Sequence, residues 1–425
     1  MNSRKYIVTI IALIFISTTF IYKKFFGKPY FVATPKMITI DLDAKPEERW
    51  LPLINNMSKD NILTFAKKTH EIIQNKIPAE VREKFSDLVN TNLIPEEYKQ
   101  ELRGIETGLK EKLGSLPDSL TYENLVTFNL AYMLFVSCTS CIITDHEDMP
   151  YLFRNLDWPM SFLRAATINI TWLKNGKKLF KSTGWPFFVG VLTGQRSNNP
   201  SLNNFALAIN ARHNKKDLAI DNINYALKEK DVWSSPSLLR HTLQYAKDYR
   251  EAYAIFKNVK LCAPVYIALA GTKKNEGAIL NLDRDGTRIT DKLKKWSRYY
   301  PEQPAHTNPE NSRSPWILAP QHAQSHYIAV TNIDSDYPSF QDFNWACKTG
   351  ICKPSLTSKK INSVGPKYRR NSVLNSCCML QKTFTIDDLF NALWIKPVLN
   401  YQTIYSSVMC PAKNIYRSYI IYPKK

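Results

Sequence analysis

The stretch SCTSCIITDHEDMPYLFRNLDWP, residues 137–159, contains two runs rich in β-branched and aromatic residues on either side of a polar break. This pattern predicts a β-hairpin with its turn in residues 145–150. The first run begins at Cys138, and Cys141 follows three residues later. The two thiols therefore form either a metal or redox pair, or a lone nucleophile beside an incidental neighbour.

A zinc or dithiol site is the first alternative for Cys138 and Cys141. Structural zinc usually takes four Cys or His ligands in two closely spaced pairs, and neither later cysteine pair has suitable spacing. Redox CxxC centres usually open a helix, whereas this pair opens a strand. Because residues three apart in a strand point to opposite faces, we expect no metal here and favour a single nucleophile.

The hairpin also brings charged side chains towards Cys138. If the turn is centred between residues 147 and 148, Cys138 lies opposite Asp157 and Cys141 lies opposite Arg154. Neighbouring strands are ~4.8 Å apart, so a carboxylate would lie within reach of the thiol. A slip of one residue changes these partners, and a simple ion pair between Arg154 and Asp157 is the alternative explanation.

Composition and charge limit the function classes. The chain has 425 residues, 44% hydrophobic with only 13 glycines, which excludes a collagenous or broadly disordered protein. Lys and Arg outnumber Asp and Glu by 57 to 37, giving a net charge of +20 that favours anionic partners. No zinc-finger spacing or RNA-binding signature accompanies the scattered basic pairs. We therefore expect an anionic membrane surface as a partner and no nucleic acid.

The N-terminus resembles an export signal. Residues 6–22 form an uncharged apolar run between Arg4-Lys5 and the segment KKFFGK. The run is long for a signal peptide and short for a membrane span. We expect residues 1–28 to be a signal peptide or a signal anchor, and both lead to the secretory pathway.

The rest of the chain divides into a helical part and a strand-rich part, which predicts the α+β class. Residues 29–137 show mainly helical patterning, with a helix buried nearly all round over 119–137. Strand patterns dominate from Cys138 onward, with a hairpin turn at Asn175–Gly176. Residues 340–366 are rich in Lys, Ser and Asn and are predicted to form an inserted surface loop.

Export permits disulfides and glycans. None of the eight cysteines precedes residue 138, and Cys347 and Cys352 are close enough in sequence to close a local disulfide loop. The sequons at Asn56 and Asn169 are compatible with N-glycosylation, although chance alone supplies about as many.

The chain resembles the family of N-acylethanolamine acid amidase and acid ceramidase, which are lysosomal lipid amidases with an N-terminal cysteine nucleophile. The family's central signature is CTS followed by RNLD at the spacing found here, at 138–140 and 154–157. PEERW at 46–50 and FNLAY at 128–132 also match. Downstream matches are WLKNG, LTGQ, PVYIALAG, RDG, VTN, RR and TIYSSVM, so the resemblance extends from about residue 30 to the C-terminus.

This resemblance implies a four-layer αββα fold of the N-terminal nucleophile (Ntn) hydrolases, made as one precursor. The precursor would cut itself between Ser137 and Cys138, leaving a small α-subunit and a β-subunit of residues 138–425 as a heterodimer. The lipid amide would be attacked by Cys138 and released as a free fatty acid and an amine. No metal or organic cofactor is implied.

The resemblance further implies roles for individual residues. Scission frees an α-amine on Cys138, which can take the thiol proton without a distant histidine. Arg154 and Asp157 would hold this amine and the site, Asn332 would donate to the oxyanion, Arg369 would be a further site arginine, and Asn210 and Arg212 would be site neighbours.

Two hypotheses follow from one departure from the family pattern, Ala211 in place of a glutamate associated with the site and its maturation. The first is an active amidase for N-acylethanolamines such as N-palmitoylethanolamine, with ceramide as the alternative substrate. The absence of a cysteine before residue 138 favours the amidase branch, because ceramidase-type relatives join their subunits by a disulfide. The second is a catalytically weak paralogue that binds lipid or membrane, and an Ntn amidase unrelated to lipid is a distant third.

Overall fold

The structure is a computed structural model of the 425-residue chain. It describes residues 30–77, 79–133, 136–197, 203–212, 219–257, 259–274, 276–284, 316–317, 327–332, 369, 372–373, 376–377, 379–380 and 382–423. The leader over residues 1–28, the insertion over 340–366, and Cys347 with Cys352 lie outside the described residues.

The predicted hairpin lies in the middle of an antiparallel sheet. In spatial order the described strands of this first sheet are β1 (Tyr30–Ala33), β16 (Ile415–Pro423), β15 (Thr403–Cys410), β4 (Pro150–Asp157), β3 (Ser137–Thr144) and β14 (Tyr327–Val330). Every residue of β4 is buried. A strand buried on both faces has no solvent-facing side, so the polar residues Arg154, Asn155 and Asp157 of β4 are buried as well.

A second sheet packs on the first. Its described strands, in spatial order, are β13 (Trp316–Ile317), β12 (Gly277–Leu282), β11 (Val265–Ala270), β8 (Ala206–Ala211), β7 (Thr193–Arg196), β6 (Lys177–Gly184), β5 (Ile168–Lys174) and β2 (Lys36–Asp41). The β5–β6 turn is at Asn175 and Gly176, whose φ angles are 51° and 66°. The predicted Asn-Gly hairpin is therefore confirmed.

Side chains that alternate along the strands define four layers. Ile142 and Leu152 of the first sheet pack against Ala208 and Tyr266 of the second, forming the core between the sheets. The opposite face of the first sheet packs on the helix α10 (Ile386–Leu393). The opposite face of the second sheet packs on the remaining helices. This αββα arrangement confirms the predicted fold class.

The helices that cover the second sheet come from both halves of the chain. They are α1 (Leu51–Asn56), α2 (Lys59–Lys76), α3 (Ala79–Leu88), α4 (Glu96–Leu113), α5 (Tyr122–Leu130), α7 (Ala219–Lys228), α8 (Ser235–Tyr245) and α9 (Tyr249–Lys257). The short helix α6 (Leu163–Ala166) contacts β15 and β16 of the first sheet. A small parallel pair, β9 (Val232–Trp233) and β10 (Lys260–Leu261), lies beside them. The buried helix expected over 119–137 is shorter, because α5 ends at Leu130 and a 3₁₀ turn continues to Met133.

The N-terminal segment contributes an edge strand to each sheet. Strand β1 pairs antiparallel with β16, and β2 pairs in parallel with β5. A segment that ends at residue 137 is therefore part of both sheets as well as of the helical layer.

The register of the β3–β4 hairpin corrects the sequence expectation by one residue. Ser137 pairs with Asp157, and Cys138 pairs with Leu156. The loop spans five residues, 145–149, because Asp148 adopts a left-handed φ of 58° and the Asp145 carboxylate accepts from the backbone of Met149. An odd-numbered loop is centred on one residue, whereas the expected register required a centre between two.

The corrected register moves Arg154, not Asp157, to the face of the strand pair that carries Cys138. Ser140 lies opposite Arg154, and Cys141 lies opposite Phe153 in the core under α10. The expected pairs Cys138–Asp157 and Cys141–Arg154 are therefore wrong. Cys138 and Cys141 belong to different cores on opposite faces of the sheet, as the strand pattern predicted.

Candidate active site

Cys138 is the second residue of β3 and is completely buried. Its Sγ lies 2.6 Å from Nη2 of Arg154 and 4.0 Å from the Tyr132 hydroxyl. Tyr132 donates to the carbonyl of Ile209 in the second sheet at 2.9 Å. The thiol is thus enclosed between the two sheets and the end of the α5 segment, beside one fixed positive charge.

Arg154 is held by the second sheet. Its Nη1 donates to the carbonyl of Leu192 and to Oγ1 of Thr193, both at 2.8 Å. Thr193 in turn shares a hydrogen bond of 2.9 Å with the Tyr405 hydroxyl. These contacts fix the guanidinium plane and aim Nη2 at the sulfur.

Asn332 follows strand β14 and contacts the backbone on both sides of the Ser137–Cys138 peptide bond. Its Oδ1 accepts from the backbone N–H of Cys138 at 2.8 Å, and its Nδ2 donates to the carbonyl of Val136 at 3.3 Å. Nδ2 also donates to the carbonyl of Ala211 at 2.7 Å. The side-chain orientation is well determined, because donors surround its oxygen and carbonyls surround its nitrogen.

Arg369 joins Cys138, Asn332 and Asp157. Its Nη1 donates to the carbonyl of Cys138 at 3.0 Å and to Oδ2 of Asp157 at 2.9 Å. Its Nη2 donates to Oδ1 of Asn332 at 2.8 Å. The Asp157 carboxylate therefore reaches the site through Arg369 and does not accept from Cys138.

Two further groups hold Asp157, one at the start of β15 and one just before that strand. Thr403 donates to Oδ1 at 2.6 Å, and Asn400 donates to Oδ2 at 3.1 Å. Burial raises the pKa of this carboxyl group above its usual value, and Arg369 and the two donors offset part of the increase.

Burial also raises the pKa of the Cys138 thiol, and Arg154 opposes this effect. The pKa of the Tyr132 hydroxyl is raised well above its usual value for the same reason. Both groups therefore keep their protons while the peptide bond before Cys138 is intact.

The expected neighbours Asn210 and Arg212 occupy different surroundings. Asn210 accepts from Ser140 at 2.6 Å and donates to the carbonyl of Thr331 at 3.0 Å, so it links β8 to β3 and to the residue before Asn332. Arg212 pairs with Asp283 and lies over the Tyr266 ring. Asn210 therefore supports the strands that carry the site residues, whereas Arg212 pairs with Asp283.

Several site residues were not assigned a role from the sequence, namely Tyr132, Ser140, Thr193, Asn400, Thr403 and Tyr405. Tyr132, Thr193, Thr403 and Tyr405 lie within the motifs FNLAY, LTGQ and TIYSSVM. Those motifs were a usable signal, but pattern alone does not say which side chain faces the thiol.

Within the described ranges, no group of three or more His, Cys, Asp or Glu side chains is arranged to hold a metal ion. Cys138, Cys141, Cys262, Cys377 and Cys410 are buried free thiols. No helix in the described part of the chain combines the length and apolar character needed to cross a membrane.

Comparison with known proteins identifies relatives over most of the chain. No protein-family model matches. An acid ceramidase from Heterocephalus glaber is 25% identical over 407 residues, covering 90% of this chain and 85% of the relative. An N-acylethanolamine-hydrolyzing acid amidase from Rattus norvegicus is 26% identical over 387 residues, covering 89% and 87%. The solved structure of a Caenorhabditis elegans N-acylethanolamine-hydrolyzing acid amidase ortholog is 22% identical, with a TM-score of 0.47, and covers 67% of this chain and 99% of that one.

Four αββα layers, with a buried cysteine near the start of a central strand, are the arrangement that the sequence predicted for an Ntn-hydrolase fold. Over 89–90% of its length, the chain is similar to acid ceramidases and N-acylethanolamine-hydrolyzing acid amidases.

Proposed function

We propose that this protein is a cysteine amidase that cuts itself between Ser137 and Cys138 and then hydrolyses fatty acyl amides, with N-acylethanolamines such as N-palmitoylethanolamine as substrates. One observation carries the proposal: three side chains converge on Cys138. Arg154 contacts its sulfur, Asn332 accepts from its backbone nitrogen and Arg369 donates to its carbonyl.

In the scission step, the Cys138 sulfur loses its proton and attacks the carbonyl carbon of Ser137. The S–C bond forms, the C–N bond breaks, and the nitrogen of Cys138 takes a proton. Water then hydrolyses the thioester, giving a carboxylate on Ser137 and a free thiol and amine on Cys138. The bond from Cys138 N–H to Asn332 supports this step, because it holds the departing nitrogen while the thiol is positioned by Arg154.

In the amidase step, the new amine takes the thiol proton and the sulfur attacks the amide carbonyl of the substrate. The acyl group is held as a thioester, the leaving amine takes the proton, and water releases the fatty acid. An unperturbed α-amine has a pKa of about 7.7–8.0. Two guanidiniums and one carboxylate surround Cys138, and this net positive charge disfavours the protonated amine. Because the protonated form is disfavoured, the α-amine of Cys138 is better able to act as a base at acidic pH.

Ceramide is the second candidate substrate, and the similarity to an acid ceramidase over 90% of this chain favours it. Ceramides and N-acylethanolamines both carry an amide between a fatty acid and an amino alcohol, so the same chemistry serves either. The absence of cysteines before residue 138 supports the ethanolamine class as the first choice. Equimolar N-palmitoylethanolamine and N-palmitoylsphingosine, compared by release of palmitate, distinguish the two.

The weakly catalytic alternative rests on Ala211, where the family has a glutamate. The backbone carbonyl of Ala211 accepts from Asn332, so this position holds the site without a carboxylate. Ala211→Glu is the direct test. Faster scission and faster palmitate release in the variant would favour the weak paralogue, whereas rates equal to or below those of the natural chain support a complete enzyme.

We further propose that residues 1–28 direct the chain into the secretory pathway and that the enzyme acts in the lysosome as an α/β heterodimer split at residue 138. The apolar run over residues 6–22 supports export, and the net charge of +20 supports contact with anionic membranes that carry the lipid substrate.

A denaturing gel after acidification tests the proposed scission. We expect two fragments from the natural chain and one intact band from Cys138→Ala. Persistence of the intact precursor in both proteins would contradict the proposal.

A further inference from the structure

The carboxylate of Glu101 on α4 is completely buried and accepts four hydrogen bonds. Oε1 accepts from Arg49 at 2.8 Å and from Nη2 of Arg240 at 2.5 Å. Oε2 accepts from the Trp50 indole at 2.8 Å and from Nη1 of Arg240 at 2.7 Å. The carboxylate therefore joins three segments that are distant in sequence.

Arg240 on α8 is also completely buried and is the bidentate partner of Glu101. Its guanidinium lies between two aromatic rings, 4.0 Å from the Tyr98 centroid and 4.4 Å from the Trp172 centroid. Nη1 also donates to the carbonyl of Val189 at 2.9 Å. Tyr98 precedes residue 138 and Trp172 follows it, so Arg240 is clamped by both parts of the chain.

Arg49 and Trp50 belong to the PEERW motif, to which the reaction proposed above assigns no role. Arg49 donates to Glu97 at 2.6 Å as well as to Glu101, and also to the carbonyl of Leu42 at 2.9 Å. Two arginines thus balance two glutamates.

We propose that this buried group, which we call the clasp (Arg49, Trp50, Tyr98, Glu101, Trp172 and Arg240), is the principal bond between the two pieces of the cleaved enzyme. The proposal rests on the scission proposed above, which turns an internal core contact into a subunit interface. Arg, Trp and Tyr in a desolvated, mutually packed cluster are the residues that dominate binding energy at interfaces.

The charges make the clasp sensitive to the loss of either partner. A buried guanidinium that loses its carboxylate remains desolvated and unpaired, which is far more destabilising than removing both charges together. The pieces should therefore separate readily when Glu101 alone is neutralised, although β1 and β2 still pair with strands of the other piece.

The test uses a cut that does not depend on self-scission. The full chain carries Cys138→Ala and a site-specific protease sequence inserted after Ser115, in the exposed turn that follows α4. After cutting, the C-terminal piece is immobilised and retention of the N-terminal piece is measured in increasing urea. We expect Glu101→Gln to weaken retention about 10²-fold or more in dissociation constant.

Glu96→Gln is the matched control, because Glu96 lies on the same helix and pairs with Arg103 within the same piece. It should leave retention unchanged. Equal retention by Glu101→Gln and Glu96→Gln would overturn the proposal.

If Glu101→Gln does not fold, the double variant Glu101→Met, Arg240→Met is tested in its place. It leaves no unpaired charge, because Arg49 still pairs with Glu97. Release of the piece from this protein at lower urea supports the clasp, and retention equal to that of the parent overturns it. A natural chain that never cuts itself would contradict the proposed scission alone, because the nick in this test is made by the protease.

Discussion

At the scale of single residues, the amide of Asn332 is the contact that distinguishes this site from a buried cysteine in an ordinary core. It touches Cys138 through a backbone nitrogen 194 residues away in sequence and is itself held by Arg369. An amide in this position contacts the nitrogen of the peptide bond whose scission we propose, and we propose that it then holds the freed amine.

Replacing Asn332 by Ala should slow scission about 10²-fold or more, the usual cost of losing one polar group that acts on the reacting bond. The rate is measured as the disappearance of the intact band after acidification. Asn391→Ala, at an exposed position on α10, is the control and should cut at the natural rate. Scission at that rate by Asn332→Ala would contradict the assigned role.

Asp157 predicts a pH dependence of stability. Since burial raises its pKa, the folded protein binds this proton more tightly than the unfolded chain does. The group's contribution is therefore fully present below the ordinary carboxyl pKa of about 3.9 and is lost as pH rises through the raised value. Asp157→Asn, which has no proton to lose, should lack this decrease.

Urea unfolding at several pH values, with Cys138→Ala in both proteins to prevent scission, measures the effect. A free energy of unfolding that falls with pH equally in Cys138→Ala and in Cys138→Ala, Asp157→Asn would show that Asp157 titrates normally.

The sequence predicted the candidate site unevenly at this scale. Cys138, Arg154 and Asp157 lie in one short hairpin, so local patterning brought them together. Asn332 and Arg369 approach Cys138 only through the tertiary fold, and only the family resemblance identified them. The one-residue register error exchanged the partners of the thiol, because sequence does not fix whether a polar loop closes with an even or odd number of residues.

At the scale of elements, two glycines on α4 allow the PEERW segment to pack against that helix. A Cβ on Gly104 would lie 2.0 Å from the backbone oxygen of Glu47, whereas a Cβ on Gly108 would lie 2.5 Å from the side-chain Cδ2 of Leu51. The backbone oxygen of Glu47 can move away only if the whole turn moves, whereas the side chain of Leu51 can rotate away from an added methyl group.

We therefore expect Gly104→Ala to lower the free energy of unfolding by about 3 kcal/mol, and Gly108→Ala by about 1 kcal/mol or less, since alanine also favours the helix. Urea unfolding of the Cys138→Ala protein gives both values. Equal effects of the two substitutions would contradict the close approach of Glu47 to α4.

The main difference between expectation and structure among the elements is the end of α5. Its apolar stripe continues past Leu130, so periodicity alone extended the helix to residue 137. The chain instead tightens into a 3₁₀ turn, where Tyr132 donates to Ile209, and Ser137 already begins β3. Pairing in the sheet outweighs local helical preference at this point.

At the scale of the whole molecule, the fold places the two N-glycosylation sequons in different environments. Asn56 is exposed at the end of α1. Asn169 lies within β5, paired on both sides by β2 and β6, and its Oδ1 accepts from Thr183 at 2.7 Å.

For protein secreted from cells that attach N-glycans, we expect Asn56→Gln to abolish the mass shift on deglycosylation and Asn169→Gln to leave it unchanged. A mass shift that persists in Asn56→Gln and disappears in Asn169→Gln would contradict this expectation.

The layered architecture makes scission compatible with an intact molecule. The piece before residue 138 supplies strands to both sheets and helices to the outer layer, and the clasp joins it to α8. The α+β class and the order of helices and strands followed from the sequence, because periodicity reports which faces are buried. The stacking of one sheet on the other depends on contacts between distant strands, which no local pattern records.

The most direct test of the account is N-terminal sequencing and intact mass of the protein fraction that releases fatty acid from an acyl amide. The account predicts a β-subunit whose first residue is Cys138, with its amine free. Fatty acid release by material in which Ser137 and Cys138 are still joined would contradict it.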